Sequence, residues 1–330
     1  MAPGTAAPPP AAEDAPEERR TGTAVVFPGM GPVKYADVSR FLLTSPHARR
    51  LRKAAEEVLG YSLADRYRES EEDYAEVAQV VFLVNCLALA EWARERHGVE
   101  PVACAGPSFG QKAVTAFSGA LPFPEVVDLT ARLARCEADY FAREHRDVVT
   151  LSFVRVPEDE LAPVLAEMDD RGAWYDISCH LDHDFFMVSL REGELDAFQR
   201  RLRSLGGLPL YTMRPPMHSA AFGALRRTVE EEVLPRYRFA DPRLPVVADQ
   251  DGTVVDTAEG MRTLLLDGIV RPVRWPDVVR TLRGLGVGRV CVAGPDGLFG
   301  RVGCTVNTFD VLAADPRAAL RPRTPAPLPA

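Results

Sequence analysis

The segment Gly106-Pro107-Ser108-Phe109-Gly110 holds a serine between two glycines at the spacing of a nucleophile elbow. In such a turn the glycines let backbone segments approach closely, the serine hydroxyl is lifted off the sheet, and the next N–H faces the substrate. Gly and Ser are common enough for the pattern to arise by chance, so its context decides. Val102-Ala103-Cys104-Ala105 reads as a short buried strand over 101–105, and residues 109–119 have helical composition, which puts Ser108 on a sharp strand-to-helix turn. The chemistry is attack on an acyl group. It requires a base, because a serine hydroxyl is a poor nucleophile until its proton is taken, and histidine, with a free pKa of about 6.5, suits that task. Of the six histidines, His47, His97, His145 and His183 have polar neighbours and His180 ends a strand. His218 lies just before a helix, where the chain leaves a run of short strands, and position favours it, although a lone histidine is more often a surface hydrogen-bonding group than a catalyst.

The elements that must hold these residues form an α/β pattern. A β-branched strand over 23–27 runs into Pro28-Gly29-Met30-Gly31-Pro32, a loop that neither helix nor strand can cross. Helical patterning covers 46–59 and 75–96, the second apolar on every side and ending before Gly98. After helices over 124–144 the pattern changes to short strands at 148–154, 174–179, 185–190 and 208–213, separated by helices near 158–169 and 193–205. This β-α-β-β-α-β order predicts a small ferredoxin-like insert. A helix over 220–233, a strand over 244–248, helices over 257–266 and 276–285 and a last strand over 289–293 return the chain to its larger part. The expected fold is therefore a large α/β-hydrolase-like domain with a mainly parallel sheet, residues 21–145 and 212–315, interrupted by a small α+β domain at 146–211. Residues 1–20 and 316–330, rich in Ala, Pro and charge, are expected to be disordered tails.

With 39 Lys+Arg scattered among 47 Asp+Glu, the net charge of −8 lacks the basic clustering of a nucleic-acid binder. The six cysteines form no Cys-x-x-Cys pair and read as reduced core thiols. No leader is expected, and the apolar stretches read as short of the ~20 residues that span a bilayer. A cytoplasmic protein acting without nucleic acid or membrane is the expectation, and a monomer suffices.

Several separated segments together resemble the malonyl-CoA:acyl carrier protein transacylases and the acyltransferase domains of polyketide synthases. Phe27-Pro28-Gly29-Met30-Gly31 resembles that family's Phe-Pro-Gly-Gln-Gly, Gln79 its Gln-Pro-Ala helix start, and Gly106–Gly110 its Gly-His-Ser-x-Gly elbow. Pro216-Met217-His218-Ser219 resembles Pro-Phe-His-Ser, Arg271-Pro272-Val273-Arg274-Trp275 resembles Ser-Pro-Val-Arg-Trp, and Ala293-Gly294-Pro295 the late Gly-Pro-Gly turn. The match spans roughly residues 23–312. It implies a Ser108/His218 dyad, an oxyanion hole of the Met30 and Phe109 backbone N–H groups, and a main-chain carbonyl near Gly268 orienting the histidine. Backbone donors do not depend on the side chain, so Met in place of Gln at position 30 is tolerable. No catalytic carboxylate, metal, nucleotide or redox cofactor is implied, the substrate being carried on the phosphopantetheine of a carrier protein.

The departures from the resemblance bear on the substrate. Pro107 stands where the family has a histidine, and Leu133 aligns with the arginine that pairs with a malonyl carboxylate, although Arg132 and Arg135 flank it. Burying a carboxylate without its bidentate arginine costs several kcal/mol. A pocket lined by Pro107, Leu133 and Met217 therefore suits a non-malonyl acyl group, and the pattern resembles the discrete acyltransferases of macrolactam polyketide (antibiotic) pathways. These move an aminoacyl or dipeptidyl unit between a donor and an acceptor carrier protein. Carrier proteins are acidic, so Arg155, Arg301, Arg214 and Arg274 are candidate docking cations. The rival expectations are a malonyl-specific transferase, a thioester hydrolase of the same build, and a silent carrier-binding scaffold.

Overall fold

The computed structural model describes residues 21–321 as two sheets with helices packed around them. The first half of the larger part comprises β1 (Gly22–Val26), α1 (Tyr35–Thr44), α2 (Pro46–Leu59), α3 (Leu63–Glu69), α4 (Glu76–His97), β2 (Pro101–Ala105), α5 (Gly110–Phe117) and α6 (Phe123–Glu144). The small domain follows as β3 (Val148–Val154), α7 (Glu158–Asp170), β4 (Tyr175–Asp182), β5 (Phe185–Arg191), α8 (Leu195–Ser204) and β6 (Leu208–Met213). The chain then returns through α9 (Gly223–Thr228), β7 (Val246–Val247), β8 (Val254–Val255), α10 (Ala258–Val270), β9 (Val273–Arg274), α11 (Trp275–Gly284), β10 (Val287–Ala293), α12 (Gly303–Val306), β11 (Asp310–Ala314) and α13 (Pro316–Ala319).

The large sheet has the order β11-β10-β1-β2-β7-β8, parallel except for β8. Alternation along β1 sorts its side chains: Val25 enters the core under α4, while Ala24 and Val26 enter a second core that also takes Cys179, Phe185 and Trp275. α4 is apolar all round and is accordingly enclosed. By length and composition it is apolar enough to cross a membrane, contrary to the sequence expectation, but 83% of its apolar window is buried inside the fold.

The small sheet runs β6-β3-β5-β4, antiparallel, as the ferredoxin-like order predicts. β6 runs to Met213, as the strand expected over 208–213 does, and one addition was not expected: β9 from the large part adds a fifth strand, parallel to β4 with Cys179 opposite Val273. The two parts thus share a sheet. The helix expected over 220–233 breaks into a 3₁₀ turn, α9 and a π turn over Val229–Val233. The tail 1–20 and residues 322–330 lie outside the described residues, but 316–319, expected disordered, form α13. Pro316 begins it and the Asp315 side chain accepts the Ala318 N–H at 2.7 Å, a complete helix start.

Candidate active site

Ser108 stands at the carboxyl end of β2, where open parallel sheets gather their functional groups. Both elbow glycines are demanded by backbone proximity: a Cβ on Gly106 would lie 2.2 Å from the Gly110 oxygen, and one on Gly110 would lie 2.1 Å from the Phe27 oxygen. Ser108 itself adopts φ 55°, a left-handed conformation that costs a non-glycine residue about 1–2 kcal/mol. A carboxylate holds it there, since the Ser108 N–H donates to Asp249 Oδ2 at 2.7 Å. Asp249 follows β7, is 1% exposed, and takes a second hydrogen bond on Oδ1 from Gln111 Nε2 at 2.7 Å. Burial raises its pKa to about 6 despite these donors.

The Ser108 Oγ lies 2.8 Å from His218 Nε2. His218 is also left-handed, φ 65°, and its N–H and that of Ser219 converge on the Ile269 oxygen at 3.1 and 3.3 Å. Each member of the pair is therefore pinned through its own backbone. Burial pushes the His218 pKa down to about 4, opposed by the nearby backbone of Gly268 and then of Arg271. Its Nδ1 is enclosed and has no hydrogen bond of ordinary geometry among the described residues. A Cβ on Gly268 would meet Gln111 Oε1 at 2.4 Å, so a side chain there displaces the Gln111 amide.

Ser108 and His218 sit where two cavities meet. On one side Met30, Phe109, Leu133, Met217, Leu265 and Ile269 line a partly open pocket of about 760 Å³. On the other a corridor of about 1110 Å³ runs between the small sheet (Phe185, Met187, Leu210, Tyr211) and the loops carrying Gly29 and Phe299. Met30, Ser108, Met213 and His218 belong to both walls. Among the described residues neither the Met30 nor the Phe109 N–H has a protein acceptor, so both are free to meet a developing oxyanion.

The remaining sequence candidates divide. Leu133 and Met217 line the pocket, whereas Pro107 lies buried behind the elbow and lines neither cavity, because its carbonyl closes the turn onto the Gly110 N–H at 2.9 Å. Arg132 and Arg135 point away from the pocket, to Asp128 at 2.8 Å and Glu76 at 2.7 Å. Arg274 is paired with Asp277 at 2.7 Å and Arg214 with Glu192, and Arg214 lines a different cavity. Arg155 and Arg301 are exposed and form no ion pair among the described residues. Arg155 follows Val154, the strand partner of the corridor residue Phe185, and Arg301 follows the corridor loop Gly297–Phe299 by two positions. Sequence reasoning missed Asp249, whose only signal is an acid directly after a strand.

Comparison with known proteins places these features in a family setting. Residues 152–213 match the family described as VinK acyltransferase small domain. A probable mitochondrial malonyl-CoA-acyl carrier protein transacylase of Drosophila melanogaster is 26% identical over 274 residues, covering 79% of this chain and 72% of that protein. The polyketide biosynthesis protein ThaF of Burkholderia thailandensis is 28% identical over 279 residues, 82% of this chain but 23% of ThaF's length. Among solved structures, a malonyl-transacylase in complex with its type II polyketide acyl carrier protein (PlMCAT:AntF) superposes with a TM-score of 0.79 at 22% identity, over 91% of this chain and 98% of that one. FabD of Acinetobacter baumannii superposes with a TM-score of 0.79 at 16% identity, over 91% and 96%. The fold is that of these transacylases, and the resemblance carried by the motifs holds.

Proposed function

We propose that this chain, an acyltransferase by its small domain and its relatives, moves a non-malonyl acyl group between carrier proteins through an acyl-serine on Ser108. The observation that carries the reading is the 2.8 Å contact of Ser108 Oγ with His218 Nε2 at the junction of two cavities. One cavity suits the acyl chain, the other a phosphopantetheine arm. His218 Nε2 takes the Ser108 proton as Oγ attacks the thioester carbonyl. The developing oxyanion meets the Met30 and Phe109 N–H groups beside the start of α5, whose dipole favours negative charge. His218 then returns the proton to the departing thiol, and the second carrier's thiol repeats these steps in reverse, a ping-pong sequence. No external energy source is needed, because the thioester and the serine ester are close in energy.

The wall supports a substrate other than malonyl. Leu133 is apolar, and both flanking arginines are engaged elsewhere. An aminoacyl or dipeptidyl unit, such as a macrolactam starter, fits a pocket of this kind better than a carboxylate does. Arg155 and Arg301, with exposed Leu208 and Leu210 on β6, form the surface on which an acidic carrier protein docks. The test is brief incubation with malonyl, acetyl, aminoacyl and dipeptidyl thioesters followed by a holo carrier protein. Acylated carrier in the last two cases is expected. Free acid instead identifies a hydrolase, and a malonyl adduct alone removes the non-malonyl reading.

A further inference from the structure

The pocket beyond Ser108 carries a buried polar cluster that the transfer chemistry does not use. Lys112, in the first turn of α5, donates to Gln79 Oε1 at 2.9 Å, sits 4.8 Å over the Phe109 ring, and lies 3.7 Å from Glu137 Oε1. Gln79 Nε2 donates to the Tyr74 main-chain carbonyl at 3.2 Å and reaches Glu137 Oε2 only at 3.5 Å. Gln79, Lys112 and Glu137 are all buried within the fold, and all three line the pocket. Their hydrogen-bonding capacity is unequally used. The ammonium has a short hydrogen bond and an aromatic face besides its 3.7 Å ion pair, whereas the carboxylate, with about four acceptor positions, has that ion pair and one 3.5 Å contact among the described residues. A buried carboxylate left so poorly satisfied is costly unless something else supplies donors.

The position of Glu137 shows where those donors would come from. Ser108 is shared by the pocket and the corridor, while Glu137, Gln79 and Tyr74 are shared by the pocket and a further cavity of about 1580 Å³. Glu137 therefore stands along the path of a chain that extends from Ser108 Oγ through the pocket. On α6 it lies one turn after Leu133, so the first charge on the pocket face of that helix is negative. Glu72 and Asp73 line the same further cavity and form no ion pair among the described residues. Arg135, Arg146 and Arg214 line that cavity too, but Arg135 is paired with Glu76, Arg214 with Glu192 and Arg146 with the Ala142 carbonyl, and the Lys112 ammonium beside Glu137 is already engaged.

We propose that Glu137, oriented by Gln79 and Lys112, receives the protonated amine of an amino-bearing acyl chain held on Ser108, and so selects that class of acyl group over neutral and acidic ones. The proposal rests on the acyl-serine reading above. β-Alanyl and butyryl N-acetylcysteamine thioesters have the same chain length and differ only in an ammonium for a methyl group, so the ratio of their acylation rates isolates the contact. Intact-protein mass spectrometry on the full chain gives both rates. Wild type is expected to favour β-alanyl, and Glu137→Gln to reduce that ratio about 10- to 100-fold, the range of a charge-assisted hydrogen bond. The double variant Lys112→Met/Glu137→Leu, which leaves no buried charge unpaired, is expected to abolish the preference. A merely structural role would lower both rates and keep the ratio, and that result, or a wild type with no preference, overturns the proposal. Failure of every thioester to acylate wild type overturns the acyl-serine reading itself and this one with it.

Discussion

Asp249 offers a perturbation whose magnitude follows from the structure. Its two oxygens hold the Ser108 N–H and the Gln111 amide, each at 2.7 Å. In Asp249→Asn the Asn oxygen still accepts from Ser108, and a flipped Gln111 amide accepts from the Asn nitrogen, so both links survive without the charge. In Asp249→Leu both donors lose their partner in a buried site, at about 1–3 kcal/mol each, and the left-handed Ser108 loses its restraint. Leu is therefore expected to be about 2–6 kcal/mol less stable than Asn, read as a shift in urea midpoint, and to slow labelling of Ser108 by a fluorophosphonate by at least tenfold. Asn should label at nearly the wild-type rate. The charge has its own signature. Folding raises the Asp249 pKa from an ordinary 3.8 to about 6, so the folded state binds the extra proton between those values and wild type loses stability as pH rises through that window. The displacement corresponds to about 3 kcal/mol. Asp249→Asn should therefore gain on wild type by up to about that amount between pH 4 and 6 and hold the gain above it. An Asn-minus-wild-type difference flat across pH, or a Leu variant that labels as fast as wild type, would refute the reasoning.

Other consequences concern His218, Gly268 and the exposed arginines. Because burial holds the His218 pKa down to about 4, the base stays unprotonated at ordinary pH, and kcat/KM for acylation should be level above pH 5 with its acid limb near 4 rather than 6.5. Gly268→Ala places a Cβ 2.4 Å from the Gln111 amide and should slow Ser108 labelling while leaving the circular dichroism spectrum unchanged. Arg155→Glu and Arg301→Glu should each raise KM for an acyl-carrier substrate about tenfold or more, with little effect on acylation by a small thioester, since charge at an interface rim acts on docking rather than chemistry. Arg274→Glu, starting from a residue already paired with Asp277, should do much less.

How much of this was legible in the sequence depends on the range over which each feature is specified. The elbow was legible because its requirements are local: a strand, two glycines and a helix between Pro101 and Phe117. β1, β2 and α4 followed from unbroken apolar runs, and the small domain from alternating strands and helices. The addition of β9 to β4 escaped because a two-residue strand has no period of its own and is made by its partner. Asp249 escaped because it acts on a residue 141 positions away. Lys112 and Glu137 escaped for a different reason. On amphipathic helices a single charge reads as part of a solvated face, and only the packing of α4, α5 and α6 shows that these two are enclosed together. Arg132 and Arg135, which one-dimensional alignment left as rivals of Leu133, are separated from it by helix geometry, which turns them away from the pocket that Leu133 lines.

The account's central claim is that Ser108 carries the acyl group and His218 activates it. Peptide mapping by mass spectrometry after seconds of incubation with an amino-bearing acyl thioester tests it directly, in wild type, Ser108→Ala and His218→Ala. The account predicts an acyl adduct on the Ser108 peptide that leaves when a holo carrier protein is added, no adduct in Ser108→Ala, and formation slowed by at least about 100-fold in His218→Ala. A carrier protein acylated at the wild-type rate by Ser108→Ala, or an adduct on any other residue, would contradict it.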